Sequence, residues 1–129
     1  MTYKGVIIEE SLENTSVLKD VTILETKIEK ITEDHKTPWL KQWTLHTVEI
    51  PEEAAASVAE KLSKNLEKEH NWYADYKNDK YHYIIYRDKI FKVDLKNPHL
   101  YREAKQYGIS LGIPEHQVDF APDDKVWKR

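Results

Sequence analysis

The chain has 129 residues, a formal net charge of -3 and no cysteine, and this length suits a single domain, residues 1–129, with its own core. The interspersed charges argue against a surface for nucleic acid or for a membrane, and the lack of cysteine excludes disulfides, thiol catalysis and cysteine-based zinc sites. Since no segment has the apolar length of a signal peptide or of a membrane span, we expect a soluble cytoplasmic protein.

The first part of the chain predicts three strands. Residues 3–8 alternate weakly and predict the first. In residues 17–32 the apolar positions recur at helical spacing, whereas the composition is dense in β-branched residues, which favour strands. We interpret residues 21–32 as a strand, with a helix as the alternative. Residues 39–50 then predict the strand that returns beside it and completes a long hairpin.

The clearest helix begins near Pro51, since proline suits the first helical position and the acids Glu52 and Glu53 suit the positive end of the helix dipole. Its apolar residues form one stripe at helical spacing, consisting of Ala55, Val58, Ala59, Leu62 and Leu66. This stripe predicts that the helix packs across the sheet.

Residues 70–94 are rich in aromatic side chains and predict a three-stranded meander. A two-residue turn at residues 78–79, which are Asn and Asp, pairs Tyr76 with Tyr81 and Asp75 with His82. Because residues 81–86 are apolar or aromatic on both faces, we expect this strand to be covered on each side. One face, the candidate core, carries Trp72, Ala74, Tyr76, Tyr81, Tyr83 and Ile85, and the other carries Tyr73, Asp75, Lys77, His82, Ile84 and Tyr86.

The last part of the chain predicts a second helix. Asn97 and Pro98 predict its start, and Gly108 predicts its end. Residues 118–120 suggest an edge strand, and the tail, residues 122–129, is expected to fray. The predicted fold class is therefore α+β: an antiparallel sheet of about five to six strands in the order βββ-α-βββ-α, with two helices packed on it.

The candidate binding residues lie on the second face of the meander. A carboxylate beside an imidazole, as predicted for Asp75 and His82, suits a general base, a pH-sensitive contact or a structural pair. Trp39, just after Pro38, is a candidate for an exposed aromatic contact, whereas Trp43 is expected to be buried. We therefore predict a non-enzymatic binding module for a protein partner or a small polar ligand, with a contact surface formed by Trp39, Tyr73, Asp75, Lys77 and His82.

The alternative function is a small hydrolase or phosphoesterase that uses His46 and His82, with Asp75 orienting the latter. This reading is less favoured, because Val48 and Ile84 stand where the two-histidine phosphoesterases carry a hydroxyl residue, and no nucleophile or oxyanion device is visible. The spacing of the six histidines predicts no metal site, and no cofactor is expected. A homo-oligomer, formed through an exposed sheet edge or through the tryptophan-containing loop, is a further expectation.

Three segments carry a family resemblance: residues 35–43 (HKTPWLKQW), residues 72–75 (WYAD) and residues 107–114 (YGISLGIP). Together they resemble a family of small, uncharacterised prokaryotic proteins of about this length, and the resemblance covers nearly the whole chain. It implies a compact cytoplasmic single domain, and it carries no activity and no catalytic residue.

Overall fold

The computed structural model describes residues 2–30, 42–67, 72–96 and 99–113. Its strands and helices, in chain order, are β1 (Tyr3–Ile8), β2 (Thr22–Lys30), β3 (Gln42–Ile50), α1 (Ala55–Asn65), β4 (Tyr73–Lys77), β5 (Tyr81–Tyr86), β6 (Lys89–Asp94) and α2 (His99–Ser110). The strands form one six-stranded antiparallel sheet in the order β2-β3-β1-β4-β5-β6. The predicted α+β fold and its βββ-α-βββ-α order are confirmed.

β2 forms in the region where the sequence carries conflicting helix and strand signals, and it is a strand. β2 pairs antiparallel with β3 along its length, so the two form the predicted hairpin. An amphipathic helix would need one buried face, but the side chains of β2 are nearly all exposed, and the β-branched composition prevails. A register shift between Ile23 and Glu25 marks a β-bulge near the start of the strand.

The two helices cover opposite faces of the sheet. On one face the Tyr76 hydroxyl donates to the carbonyl oxygen of Ala55, at the start of α1, at 2.5 Å. On the other face the Tyr86 hydroxyl donates to the carbonyl oxygen of Ala104, in α2, at 2.6 Å. Tyr76 opposes Tyr83, and Tyr83 lies an odd number of residues from Tyr86, which places the two hydroxyls on opposite faces. The predicted cover on both sides of β5 is confirmed.

Each helix closes its own hydrophobic core. The predicted stripe of α1 is buried as a whole, after a short 3-10 turn at Glu52–Ala54 that precedes the helix. It packs in one core with the predicted core face of the meander, of which Trp72, Ala74, Tyr76, Tyr83 and Ile85 are buried. The core beneath α2 consists of Tyr73, Ile84, Tyr86, Phe91, Val93, Tyr101, Ala104 and Ile113.

The predicted register of the β4–β5 hairpin is wrong by two residues. Tyr76 opposes Tyr83 rather than Tyr81, and the tip of the turn is residues 79–80. The side-chain oxygen of Asn78 accepts hydrogen bonds from the backbone N–H groups of Lys80 and Tyr81, at 2.8 and 2.9 Å, and so closes the turn one residue later than expected. A shift of two leaves every side chain on its predicted face.

The second helix ends later than predicted. Gly108 lies within α2, and the left-handed residue after the helix is Gly112, whose φ is 94°. The N–H of Ile113 donates to the carbonyl oxygen of Gly108 and that of Gly112 donates to Ile109, which together form a Schellman cap. The predicted start at residues 97–98, the edge strand at residues 118–120 and the tail at residues 122–129 lie outside the described residues.

We expect Gly5→Ala to lower the free energy of unfolding by at least about 2 kcal/mol, because β1 and β4 approach closely there. A Cβ at Gly5 would lie 2.6 Å from the Cα atom of Tyr76 and closer still to the carbonyl oxygen of Asp75. Both neighbours are backbone atoms of a paired strand. Denaturant unfolding measures the change. The matched control, Gly112→Ala, should cost about 1 kcal/mol, and an equal cost for the two variants would contradict the close approach.

Candidate functional site

A buried chain of polar side chains joins β4, β5 and α2. The Nε2 atom of His82 lies 2.8 Å from the Oδ2 atom of Asp75, and its Nδ1 atom lies 2.8 Å from the hydroxyl of Tyr101. The side chains of His82 and Asp75 are only 3% and 8% exposed. The predicted contact between Asp75 and His82 is present, although it is diagonal, because Asp75 opposes Ile84 in the ladder.

These polar side chains form a buried network in which both ring nitrogens of His82 have hydrogen-bond partners. When the Nε2–H of His82 donates to Asp75, the Nδ1 atom accepts the Tyr101 hydroxyl proton, and both ring nitrogens are paired. Burial, with a smaller contribution from the charge of Asp75, raises the pKa of Tyr101 to about 12. All three side chains of this network are buried, and Tyr101 belongs to the helix that covers them.

A second histidine has separate partners. The Nδ1 atom of His46 lies 2.9 Å from the Oγ1 atom of Thr26 in β2, and its Nε2 atom lies 3.1 Å from the Oε1 atom of Glu9. Beside it, the carboxylate of Glu10 accepts from both the backbone N–H and the hydroxyl of Thr44. These contacts tie the edge strand β2 to β3 and to the short 3-10 turn after β1.

The contacts of Glu9 and Thr26 with His46 were not predicted from the sequence. These two residues lie 37 and 20 residues from His46 along the chain, and no local spacing links such distant positions. Only the registers of β1 and β2 on β3 bring the three side chains together.

The structure does not bring His46 and His82 together. His46 opposes Ile7 across the β1–β3 ladder, so its ring lies on the sheet face that carries Gly5 and also Tyr76, the residue opposite Gly5 in β4. His82 lies on the opposite face, with Asp75. Alternation along the strands therefore places the two histidines of the alternative prediction on opposite faces of the sheet, although Asp75 contacts His82 as that prediction requires. The hydrolase activity itself stays a prediction.

The predicted binding face is not an open surface. Tyr73, Asp75 and His82 are buried, and α2 packs on this side of the meander. Of the predicted contact residues that the structure describes, Lys77 alone is exposed. Trp39 lies outside the described residues. The signal for this burial was the apolar character of β5 on both faces, which requires a second covering layer.

The exposed apolar surface lies instead along β2. Ile23, Leu24 and Ile28 are 43%, 50% and 59% exposed, and β2 stands at one end of the strand order. Among the described residues the remaining large exposed hydrophobic is Ile109 of α2, at 38%. Trp43, on the neighbouring strand, is buried as predicted. The sequence predicted β2 as a strand, but its position at the edge of the sheet was not predicted.

Two further properties concern only the described part of the chain. No three side chains of the types that bind metals are close enough there to hold an ion. None of the helices there combines the length and the apolar character needed to cross a membrane.

Comparison of the chain with known protein families, with curated proteins and with solved structures gives no match. The resemblance to a prokaryotic family therefore stays a prediction. Within the described residues, the cluster of Asp75, His82 and Tyr101 is buried, whereas His46 is a buried ring whose partners Glu9 and Thr26 reach the surface, and the β2 edge is exposed.

We expect Asp75→Ala to lower the free energy of unfolding at neutral pH by about 1–3 kcal/mol, because it leaves the buried Nε2–H of His82 without its carboxylate acceptor. Denaturant unfolding measures the loss. The control is Asp20→Ala, which removes an exposed pair with Lys61 of the same 2.8 Å length. That variant should change the free energy of unfolding by less than about 1 kcal/mol, and equal losses would show that the buried pair has no structural role.

Alkaline pH should destabilise the protein through its buried tyrosines. Burial raises the pKa values of Tyr76, Tyr86 and Tyr101 above the ordinary value of 10.0. The stability that these neutral hydroxyls contribute is fully present below the pKa of tyrosine in the unfolded chain. It is lost as the pH rises through the pKa in the folded protein, which is about 12 for Tyr101. Between these two pKa values, the free energy of unfolding of Tyr101→Phe should fall less steeply with pH than that of the wild type. The expected difference in slope is about 1.4 kcal/mol per pH unit. Denaturant unfolding at a series of pH values tests this, and an unchanged slope would contradict it.

Proposed function

We propose that this chain is a non-enzymatic protein-binding module whose contact surface is the outer edge of β2. The observation that carries the proposal is the exposure of Ile23, Leu24 and Ile28 on one nine-residue edge strand. An edge strand presents backbone N–H and C=O groups to which an extended segment of another protein can add as a further strand. Apolar side chains along the same edge supply the contacts that stabilise such an addition.

The opposite edge of the sheet is less suited to strand addition. β6 has six residues, and its Phe91 and Val93 are buried beneath α2. The ammonium group of Lys89 lies 5.2 Å from the ring centre of Phe91, and that of Lys92 lies 4.3 Å from the ring centre of Tyr81. The nine-residue β2 is longer, and it also carries large exposed apolar side chains. The two edges therefore differ, and β2 is the one that favours a partner.

The contacts of His46 support a binding role for β2. They hold Thr26 to β3 at 2.9 Å through the imidazole ring, in the middle of the edge strand. A strand that is ordered before it meets its partner loses less conformational entropy on binding. The burial of Asp75 and His82 also favours a binding role over hydrolysis. A hydrolase needs its acid and its base within reach of the substrate.

A matched pair of lysine variants tests the proposal. Ile28→Lys should lower the capture of a partner protein from lysate of the source cells by at least about tenfold, because it removes an apolar cross-strand contact and places a charge on the edge. Ile109→Lys, at the exposed isoleucine of α2, should leave the capture unchanged. Thermal unfolding shows whether both variants fold. Equal capture by the two would refute a role for β2.

A further inference from the structure

We infer that the protein which adds to β2 is a second copy of this chain, paired antiparallel about a two-fold axis through Thr26. The inference rests on the proposed use of the β2 edge and names its partner. Strand addition between two copies would join their six-stranded sheets into one continuous sheet. Because the axis is normal to the sheet, helix α1 of both copies would lie on the same face.

The charges of β2 are complementary in this register. When two identical antiparallel strands pair about such an axis, one residue opposes itself and its neighbours oppose each other in pairs. Thr26 is the middle residue of β2, which spans Thr22–Lys30. With Thr26 on the axis, Glu25 opposes Lys27 of the second copy, and this pair occurs twice. Opposite charges facing each other across two strands stabilise the pairing.

Apolar residues are matched in the same register. Leu24 opposes Ile28 of the second copy, again twice, and these are the two most exposed large hydrophobics on the strand. The bulge between Ile23 and Glu25 increases the local twist, so we expect the most regular pairing at the centre of the strand.

The neighbouring registers are less favourable. An axis through Glu25 places two carboxylates opposite each other, and an axis through Lys27 places two ammonium groups opposite each other. Like charges in direct opposition destabilise a strand pair. An axis through Ile28 pairs only residues 26–30 of β2. The register centred on Thr26 is the one that combines charge complementarity with the full length of the strand.

The charged side chains at this edge are accessible for cross-strand pairs. Glu25 is exposed, and the side chain of Lys27 is 67% exposed. Within its own strand Lys27 has a contact of 3.9 Å with Glu29, at the limit of an ion pair. Such an exposed pair is weak, so Lys27 can exchange it for Glu25 of a second copy at little cost.

A single introduced cysteine tests the register, because the chain has none of its own. A residue on the axis faces its copy at a Cα separation of about 4.5–5.5 Å, which lies within the range of disulfides. Thr26→Cys should therefore give a disulfide-linked dimer on mild oxidation. In Ile28→Cys, the matched control, the two thiols lie four residues apart along the ladder, about 13 Å, and should not react.

A charge exchange tests the same register in chains that retain Thr26. Lys27→Glu should raise the dissociation constant of the dimer by about tenfold, because it places a carboxylate opposite Glu25 on both sides of the axis. The double variant Glu25→Lys with Lys27→Glu should restore the wild-type value within about threefold. Analytical ultracentrifugation measures both constants. A purely structural effect within one copy would not be restored by the exchange.

The outcomes separate this inference from the proposed function. A disulfide in Ile28→Cys and none in Thr26→Cys would overturn the register. A wild-type chain that stays monomeric across a concentration series, with no disulfide in either variant, would overturn the second copy as the partner. If Ile28→Lys still abolished capture of a different protein in that case, the proposed function would stand. If capture were also insensitive to Ile28→Lys, both would fail.

Discussion

The burial of β5 on both faces is the constraint on which the rest of the structure depends. Tyr83 and Ile85 face one core, and Ile84 and Tyr86 face the other. A strand of this kind needs a covering layer on each side, so the two helices have to lie on opposite faces of the sheet. On each side a buried tyrosine hydroxyl, from β4 or from β5, then finds its acceptor in a helix carbonyl group. The aromatic strands thus set both the position and the polar contacts of the helices.

The same constraint explains why the residues that look most reactive in the sequence are internal. Asp75 and His82 lie on the face that α2 covers, and Tyr101 of α2 completes their hydrogen bonds. Burying a polar group costs free energy unless the group is hydrogen-bonded. Here the carboxylate of Asp75 and the phenol of Tyr101 both pair with the imidazole of His82. A network of this kind specifies how α2 docks on the sheet. This structural role is sufficient to explain the positions of Asp75, His82 and Tyr101.

The sheet is asymmetric because its helices are not placed over all of its strands. β6 lies beneath α2 and carries lysines that rest on aromatic rings, whereas β2 extends beyond this cover with three exposed apolar side chains. His46 holds this outer strand in place from β3. This exposed apolar edge follows from the incomplete cover of the sheet, and it connects the packing of the core to the function that we propose.

The order of the elements, the stripe of α1 and the two faces of the meander could be predicted before the structure, because these features depend on periodicity over a few residues. β-Branched composition also identified residues 22–30 as a strand. Three features required the folded chain: β2 is an edge strand, Glu9 and Thr26 contact His46, and the two histidine clusters lie on opposite faces. These features depend on the strand order β2-β3-β1-β4, and strand order is set by contacts between distant segments that no local pattern records.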